Sequence, residues 1–342
     1  MIIINTSFEL KQKTGIGAYV LVLIKCLEKL KKDYKAIELC LAPNVKFKYY
    51  WQLLWLNSIV FVQTLITKPS IFLSPSFIMP FFKNKGTKYV TVIHDLAVYR
   101  KYEVTNYVEK LYRLFINIAL NRADLIVTVS DTIKQEIVDK FDYSKDKIMV
   151  VYNSIGQHFI NAQINNNIIE KYNLEPKKYI LSVATLNKRK NIPELIKAFE
   201  QISNKYPNLK LVLVGGMGNE QREKLTKHPN VIFTGYIKDE ELPTLYSNAL
   251  LYMYPSLYEG FGIPLIEAQY CGCPVLCSDI PVFREIGANS VKYCNPTSNS
   301  IANELEVLIN KPELLSKLSS LGSENVKRFS IENITKQLGE II

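Results

Sequence analysis

The sequence predicts an α/β protein built from two doubly wound domains. Short runs rich in valine, isoleucine and leucine alternate with longer segments of helical periodicity, a pattern typical of β–α–β units and parallel sheets. A chain of 342 residues suits two domains better than one. The alternation stops once, at a polar, asparagine-rich stretch over residues 161–167, and then begins again.

Each half of the chain carries its own series of strands and helices. In the first half the predicted strands are Ile2–Asn5, Ala36–Leu41, Lys88–Ile93, Asp124–Val129 and Lys147–Val151. The predicted helices there are Ile16–Leu30, Val104–Leu120 and Asp131–Lys140, the last with Ser130 as its N-cap. In the second half the predicted strands are Tyr179–Ala184, Leu209–Val214, Val231–Thr234, Leu250–Tyr254 and Pro274–Leu276.

These elements place the domains at residues 1–165 and 166–329. A C-terminal helix at about 330–342 is expected to pack back on the first domain. In doubly wound sheets, ligands bind beyond the carboxyl ends of the strands. The residues that follow each strand are therefore the candidates for a functional site.

Composition argues against several other protein classes. The chain is 48% hydrophobic and 22% charged, as in ordinary folded proteins. The segment Met1–Asn5 lacks the basic region of a secretion signal, so we expect a cytoplasmic protein. The six cysteines form no Cys-x-x-Cys pair and only three histidines are present, which favours reduced core thiols over a zinc site.

Positive charge is concentrated in the first half of the chain. Residues 1–165 carry 22 Lys and Arg against 13 Asp and Glu, a net charge of +9. Residues 166–342 carry 20 against 19, a net charge of +1. This asymmetry indicates an anionic partner for the first half, either nucleic acid or an anionic membrane, unless the charge only solvates the surface.

Nineteen residues without a charged side chain lie between Lys48 and Lys68. The length approaches the roughly 20 residues of a membrane-spanning helix. Polar residues such as Asn57 and Gln63 interrupt it, and the α/β pattern around it must stay in one compartment. Three interpretations remain: a spanning helix, a buried helix of the domain, or a helix that offers aromatic residues to lipid beside the lysines.

The most informative segment runs from Pro255 to Ala268, with the sequence PSLYEGFGIPLIEA. A helix is expected to begin with Pro264 at its first position, where a missing N–H has no cost. The turn before it leaves backbone N–H groups at a helix N-terminus, which favours anions. Glu259 in the loop and Glu267 in the first helical turn suit recognition of sugar and ribose hydroxyl groups. Alternatively, Glu267 only complements the helix dipole, an effect of about 0.3–1 kcal/mol.

Three other segments follow predicted strands. The segment 186–191, LNKRKN, carries three cations that can neutralise a diphosphate, or it is a solvated basic turn. The segment 14–19, TGIGAY, opens the first long helix, where glycine permits close approach of the backbone to a ligand or simply a tight turn. His94 in the segment His94-Asp95-Leu96 is either a structural residue or a catalytic one.

Together these segments resemble the retaining glycosyltransferases of family 4, and the likeness covers nearly the whole chain. Glu259 and Glu267 are similar to the family's E-x7-E motif, which continues to Pro274-Val275. The other segments are similar to its G-I-G-x-Y loop, H-D-L segment and R-K-N turn, and segments 212–215 and 233–237 match as well. The resemblance implies the GT-B fold of two facing Rossmann-like domains with a central cleft, the first binding the acceptor and the second the nucleotide sugar.

The resemblance also implies roles for individual residues. Glu267 would hold the nucleotide ribose, and Lys190, with Arg189, the diphosphate. The donor sugar would contact His94 near its reacting carbon. The remaining substrate-binding residues would be Glu259 and the backbone of Phe261, Gly262 and Ile263 at the sugar hydroxyls, the loop Gly15, Ile16 and Gly17, and Tyr236. The usual first arginine of the family is replaced by Thr185, whose role we expect Arg189 to take.

The function expected from this resemblance is transfer of a hexose from a nucleotide-diphosphate sugar, first of all mannose from GDP-mannose. The acceptor would be a glycan or lipid-linked glycan of surface polysaccharide such as lipopolysaccharide, at the inner face of the plasma membrane. No resident cofactor, metal or nucleic acid is expected, because the chain has no Asp-x-Asp motif and no nucleic-acid-reading motif. The alternatives are a sugar-nucleotide 2-epimerase and a non-catalytic nucleotide-sugar-binding protein.

Overall fold

The computed structural model describes residues 1–6, 15–39, 51, 54–100, 106–164, 167–184, 187–216 and 225–342. The chain forms two compact units. The first consists of Met1–Ser154 together with Ile331–Ile342, and the second of Ile155–Ser330. The stretch at residues 161–164 therefore lies inside the second unit, where the neighbouring Phe159 packs its buried ring 5.8 Å from that of Tyr246.

The first unit is built on a parallel sheet of six strands, in the order β2-β1-β3-β4-β5-β6. The strands are β1 (Ile2–Asn5), β2 (Tyr34–Ile37), β3 (Ile71–Ser74), β4 (Lys88–Ile93), β5 (Leu125–Thr128) and β6 (Ile148–Val150). Its helices are α1 (Gly15–Lys29), a π-helical turn (Leu56–Val60) that continues into α2 (Phe61–Thr67), α3 (Asn106–Arg122) and α4 (Asp131–Phe141). As predicted, Ser130 caps α4, accepting a hydrogen bond of 3.2 Å from the backbone N–H of Ile133.

Two strands of this sheet differ from the prediction. The predicted strand Ala36–Leu41 is wrong at both ends: β2 begins at Tyr34 and stops at Ile37, because it pairs with β1 and that partner ends at Asn5, opposite Ile37. Cys40 and Leu41 lie outside the described residues. The central strand β3 was not predicted at all. Its four residues lie between Pro69 and Pro75, too short a run to show a period, and become a strand by pairing with β1 and β4.

The second unit contains another parallel six-stranded sheet, in the order β12-β11-β10-β7-β8-β9. The strands are β7 (Tyr179–Val183), β8 (Lys210–Val214), β9 (Val231–Gly235), β10 (Leu251–Tyr254), β11 (Val275–Ser278) and β12 (Lys292–Cys294). The helices are α5 (Gln157–Ile160), α6 (Asn167–Lys171), α7 (Ile192–Ser203), α8 (Leu242–Asn248), α9 (Ile263–Tyr270), α10 (Pro281–Gly287), α11 (Ser298–Ile309) and α12 (Pro312–Asn325). The three-residue strand β12 was not predicted, since it has no pattern apart from its pairing with β11.

The predicted fold class is confirmed in both units. In chain order within the unit, the second sheet has the 3-2-1-4-5-6 arrangement of the Rossmann fold. The strand order reverses between β7 and β10, which lie next to each other. Crevices at such a reversal are where this class of sheet binds ligands, which directs attention to the residues that follow these two strands.

The last helix, α13 (Ile331–Gly339), belongs to the first unit and packs against α1. Lys29 on α1 forms an ion pair of 2.9 Å with Glu332. The side-chain oxygen of Gln337 accepts a 3.0 Å hydrogen bond from the backbone N–H of Tyr152, just after β6. The chain thus returns to its first unit after completing the second.

Five cysteines lie in the described part of the chain and none forms a disulfide, whereas Cys40 lies outside it. Burial raises the pKa of the Cys273 thiol to about 12, with smaller electrostatic contributions from its neighbours. Buried thiols of this kind are unreactive packing residues. Among the described residues, no helix has both the length and the apolar composition needed to cross a membrane.

Candidate functional site

The site in the second unit begins at the reversal of strand order. A 3₁₀ turn, Lys188–Lys190, follows β7, and the loop from Pro255 to Gly262 follows β10. The backbone N–H of Leu257 donates a 2.8 Å hydrogen bond to the carbonyl oxygen of Arg189. This bond holds the basic turn against the loop, so the two strand ends present their side chains at one place.

A buried ion pair joins the turn to the loop. The Lys190 ammonium lies 2.5 Å from Glu259 Oε1, and the Arg189 guanidinium lies 4.0 Å from Glu259 Oε2. Lys190 is 8% exposed and Glu259 7% exposed, although both residue types are almost always exposed unless paired. The structure therefore brings together three of the residues predicted to contact the donor.

The electrostatics of this group leave it positively charged. Burial acts to raise the pKa of Glu259, but the charges of Lys190 and Arg189, together with the hydrogen bond from Lys190, lower that pKa below its usual value. Glu259 is therefore ionised at neutral pH. Two cations against one carboxylate leave a charge of +1 in a poorly solvated place, which suits an anionic ligand.

The loop enters helix α9 through a residue that only glycine fills without strain. Gly262 has φ +105°, and a Cβ atom built there would lie 2.9 Å from the Phe283 ring. The helix begins at Ile263, so Pro264 occupies the second position and not the predicted first one. The Phe261 side chain is buried against Phe329, with ring centroids 5.4 Å apart, which leaves its backbone for any ligand contact.

Glu267 lies one residue further into the helix than predicted, just beyond its first turn. It is the fifth residue of α9, and the first turn of that helix has no acidic residue. The helix dipole acts on charges within the first turn, so it gives no reason for a carboxylate here. Instead, Glu267 Oε2 accepts a 3.2 Å hydrogen bond from the hydroxyl of Tyr246.

The protonation of Glu267 is set by its surroundings. Burial raises the pKa of Glu267 to about 7, and the negative charge of Asp239 adds to the rise, while the Tyr246 hydrogen bond opposes it. Asp239 in turn accepts a 3.1 Å hydrogen bond from the hydroxyl of Tyr236, which is 60% exposed and follows β9. Sequence reasoning missed Asp239, because a single aspartate after a strand gives no signal.

Three buried tyrosines under the glutamates were also missed. Tyr246, Tyr252 and Tyr254 are at most 1% exposed, and their ring centroids lie 5.4 and 5.5 Å apart in succession. Tyr252 donates to the carbonyl oxygen of Val183 at the end of β7, over 3.3 Å. Alternation on a buried strand indicates only that such residues pack, and the hydroxyl contacts appear once the fold is known.

The candidate residues of the first unit form a separate group. His94 follows β4, and its Nε2 lies 2.8 Å from the carbonyl oxygen of Pro75, which follows β3. A carbonyl oxygen only accepts, so Nε2 carries the proton and Nδ1 is left as an acceptor. Desolvation lowers the pKa of His94 against opposing effects of Pro75 and Asp95, so the ring is neutral at neutral pH.

Helix α1, which begins with the glycine-containing segment, contacts His94. Gly15, Ile16 and Gly17 form the first turn of α1, and the Tyr19 ring on the next turn lies edge-on to the His94 ring at 5.1 Å. Thr14 and the other residues between 7 and 14 lie outside the described part of the chain, as does Thr185. The predicted exchange of roles between Thr185 and Arg189 therefore stays a prediction.

Two family models match the sequence in succession. The model for glycosyltransferase family 4 matches residues 19–156, and the model for glycosyl transferases group 1 matches residues 164–324. The second match contains the basic turn, both glutamates and Tyr236. The first contains His94.

Individual proteins are similar over most of their length. O-antigen chain mannosyltransferase B of Escherichia coli is 30% identical over 288 residues, covering 79% of this chain and 73% of that protein. O-antigen chain mannosyltransferase RfbU of Salmonella typhimurium is 31% identical over 255 residues, covering 72% of this chain and 67% of that protein. Among solved structures, Anabaena HepE in complex with UDP-glucose superposes with a TM-score of 0.75 at 17% identity, covering 100% and 99% of the two chains.

Proposed function

Because the chain belongs to the group 1 glycosyltransferases of family 4 and has their GT-B fold, we propose that it transfers mannose from GDP-mannose to a glycan or lipid-linked glycan, with retention at the anomeric carbon. The observation that supports a donor site most directly is the buried group of Lys190, Arg189 and Glu259 at the strand-order reversal. Its excess positive charge matches a diphosphate.

The proposed chemistry at this group is stabilisation of the leaving diphosphate. As the bond from the anomeric carbon to the phosphate oxygen breaks, negative charge grows on that oxygen, and Lys190 with Arg189 are placed to offset it. The acceptor hydroxyl oxygen forms the new bond to the same carbon, and its proton passes to the departing phosphate. In this scheme the two cations do what a divalent ion does in other transferases, so we propose that the reaction needs no metal.

The remaining site residues are assigned to recognition of the donor. Glu267 binds the ribose hydroxyls, since an ionised carboxylate accepts two hydrogen bonds at once. Glu259 and the backbone at Gly262 and Ile263 bind sugar hydroxyls. Tyr236 is linked to Glu267 by Asp239, which accepts a hydrogen bond from Tyr236 and whose charge acts on Glu267. His94 accepts a hydrogen bond from a sugar hydroxyl at Nδ1, the nitrogen that Pro75 leaves available.

Mannose is proposed because the two similar proteins described above are O-antigen mannosyltransferases. The same names support an acceptor in surface polysaccharide biosynthesis. UDP-glucose, which HepE binds, is the competing donor. Identity below 25% to that protein supports the fold and not the donor, so GDP-mannose remains the first choice.

The acceptor's membrane is proposed to contact an apolar surface on the first unit. Six large side chains on the outer face of the helical residues 51 and 54–67 are 44–76% exposed: Trp51, Leu54, Ile59, Val62, Leu65 and Ile66. Two polar side chains of this segment face inward, whereas Ser58 is exposed. Asn57 accepts a 2.6 Å hydrogen bond from the backbone N–H of Phe81, and Thr64 is buried. Leu56 and Val60 of the same segment are fully buried, so the segment packs on its unit with one apolar face and exposes a second, which a surface helix normally lacks.

The charges of the sequence that surrounds this apolar segment indicate the type of lipid. Residues 39–94 contain six lysines and no aspartate or glutamate. Exposed apolar side chains beside such a stretch match an anionic bilayer, whose surface attracts lysines while its interior accepts the apolar groups. We therefore propose that the protein acts as a peripheral protein at the cytoplasmic face of the plasma membrane.

A donor-hydrolysis screen tests the proposed activity without knowledge of the acceptor. GDP-, UDP-, dTDP- and ADP-sugars are each incubated with the protein, with and without a chelator, and the released sugar and nucleotide are measured. We expect GDP-mannose to be hydrolysed fastest, chelator to have no effect, and the released sugar to remain mannose. Preference for another donor would overturn the choice of GDP-mannose. A released sugar with carbon 2 inverted would indicate an epimerase, and no turnover of any donor would indicate a binding protein.

A further inference from the structure

The end of strand β10 places a phenol directly beneath Lys190. The Tyr254 hydroxyl lies 3.4 Å from Lys190 Nζ, and the same Nζ lies 5.4 Å from the centre of the Tyr254 ring. The ring is 1% exposed and is held between Tyr252 and Phe283, with centroid distances of 5.5 and 4.7 Å. Tyr254 is therefore a closely packed group in contact with a buried cation of the site.

The Lys190 ammonium needs a second fixed contact, because its ion-pair partner Glu259 is itself assigned to bind the donor sugar. A lysine side chain has four rotatable bonds, so fixing it in one conformation costs conformational entropy. In the structure, Glu259 supplies one acceptor at 2.5 Å. Glu259 is also the residue assigned to the sugar hydroxyls, so its carboxylate is shared once the donor binds.

We propose that Tyr254 is a positioning residue that holds the Lys190 ammonium at the place where the diphosphate leaves. This inference rests on the role proposed above for Lys190. The phenol accepts a hydrogen bond from Lys190 without neutralising its charge, whereas a second carboxylate would cancel the charge that the leaving group requires.

The properties of the phenol agree with this role. Burial, followed by the negative charge of Glu259, raises the pKa of Tyr254 well above its usual value. The hydroxyl therefore stays protonated and serves Lys190 as a neutral acceptor. A phenylalanine would fill nearly the same volume and keep the ring contacts, so packing alone does not require the hydroxyl.

Tyr254→Phe tests the hydroxyl by itself. We expect kcat for donor hydrolysis to fall about tenfold while the donor KM stays within about twofold, because the lost contact acts on the leaving-group charge. Turnover is normalised to the calorimetric stoichiometry of nucleoside diphosphate binding, so that a loss of folded protein does not imitate the effect. Tyr179→Phe is the matched control. Its phenol is equally buried but donates only to the carbonyl oxygen of Leu245, at 2.6 Å, and we expect unchanged kcat.

A double-mutant cycle then shows whether Tyr254 acts through Lys190. In the Lys190→Ala background, adding Tyr254→Phe should change kcat by less than about twofold. An equal tenfold loss in that background would overturn the proposal, and so would wild-type kcat in the single variant. A Tyr254→Phe protein that fails to fold would also contradict it, since the hydroxyl is assigned no part in folding. If Lys190→Ala itself is fully active, the role proposed for Lys190 has failed, which is a separate outcome.

Discussion

The donor site of the second unit and the apolar surface of the first depart from ordinary protein architecture in opposite ways. In the second unit, Lys190 and Glu259 are charged yet more than nine-tenths buried. In the first unit, Ile66 is apolar yet 76% exposed, near the end of a helix that exposes several other large apolar side chains. Burial of charge and exposure of apolar groups both cost free energy of folding. Such costs occur where a ligand or partner compensates for them. Buried charge indicates a charged ligand, and exposed apolar side chains indicate an apolar partner.

The two regions should therefore respond to different changes. Removal of a charge from the second unit should impair binding and turnover with the membrane contact intact. A charge added to the apolar surface of the first unit should impair the membrane contact with turnover intact. Four experiments test whether the two regions act independently in this way.

Lys190→Ala should lower kcat/KM by at least about a hundredfold, or about 2.7 kcal/mol, as for the loss of one preorganised charge donor. Steady-state hydrolysis or transfer of the preferred nucleotide sugar measures the change. Lys188→Ala is the matched control, because Lys188 is an exposed lysine of the same 3₁₀ turn, and it should keep nearly full activity. Activity of Lys190→Ala within threefold of wild type would remove Lys190 from the proposed diphosphate site.

Glu267→Ala should weaken binding of the free nucleoside diphosphate by about 1.5–3 kcal/mol, the scale of a hydrogen bond to a charged group. The ribose contact is present in both ground and transition states, so the loss should appear mainly as weaker binding. Isothermal titration calorimetry measures it. Glu313→Ala removes a carboxylate from the first turn of α12 and should leave the affinity unchanged. Unchanged affinity in both variants would contradict the ribose assignment.

The affinity for a nucleotide sugar should rise with pH. The pKa of Glu267 is raised to about 7, so its carboxylate is mostly protonated at pH 6 and mostly ionised at pH 8. Only the ionised form accepts both ribose hydrogen bonds, and we expect affinity to increase about tenfold over this range. A nucleotide sugar is the proper ligand, because its substituted phosphates do not titrate there. Glu267→Gln should abolish the dependence, and a pH dependence that survives in this variant would assign it to another group.

Val62→Glu combined with Ile66→Glu should leave hydrolysis of the soluble donor unchanged and weaken binding to anionic vesicles about fivefold. Both side chains are more than half exposed, so the changes should not disturb the core. Vesicle sedimentation at low salt, with release at high salt, provides the measurement. Leu114→Glu replaces an apolar side chain of the same unit that is 52% exposed and lies on α3, and it should bind vesicles as wild type does. Wild-type protein that ignores anionic vesicles at low salt would leave the apolar surface to a different partner.

Local patterns in the sequence were sufficient to predict the α/β architecture and the types of residue in the site. Alternation of apolar runs with helical periods is a local property, so it predicted two parallel α/β sheets and most of their strands. The spacing of Glu259 and Glu267 and the basic turn at Lys190 were likewise readable, because each lies in one short segment after one strand. Pairing decided the rest of the sheets. The strands β3 and β12 have three or four residues, too few to show a period, and exist because neighbouring strands satisfy their backbone groups.

The contacts between site residues that are distant in sequence arise only in the folded protein. Lys190 and Glu259 are 69 residues apart, and their ion pair forms because the strand order places β7 beside β10. The Tyr254 hydroxyl reaches Lys190 through the same juxtaposition, and the Tyr246 hydroxyl reaches Glu267 because α8 packs beside α9. Local patterns fix which residues form a strand or a helix. Contacts between distant segments, and the burial that shifts their pKa values, arise only when those elements pack.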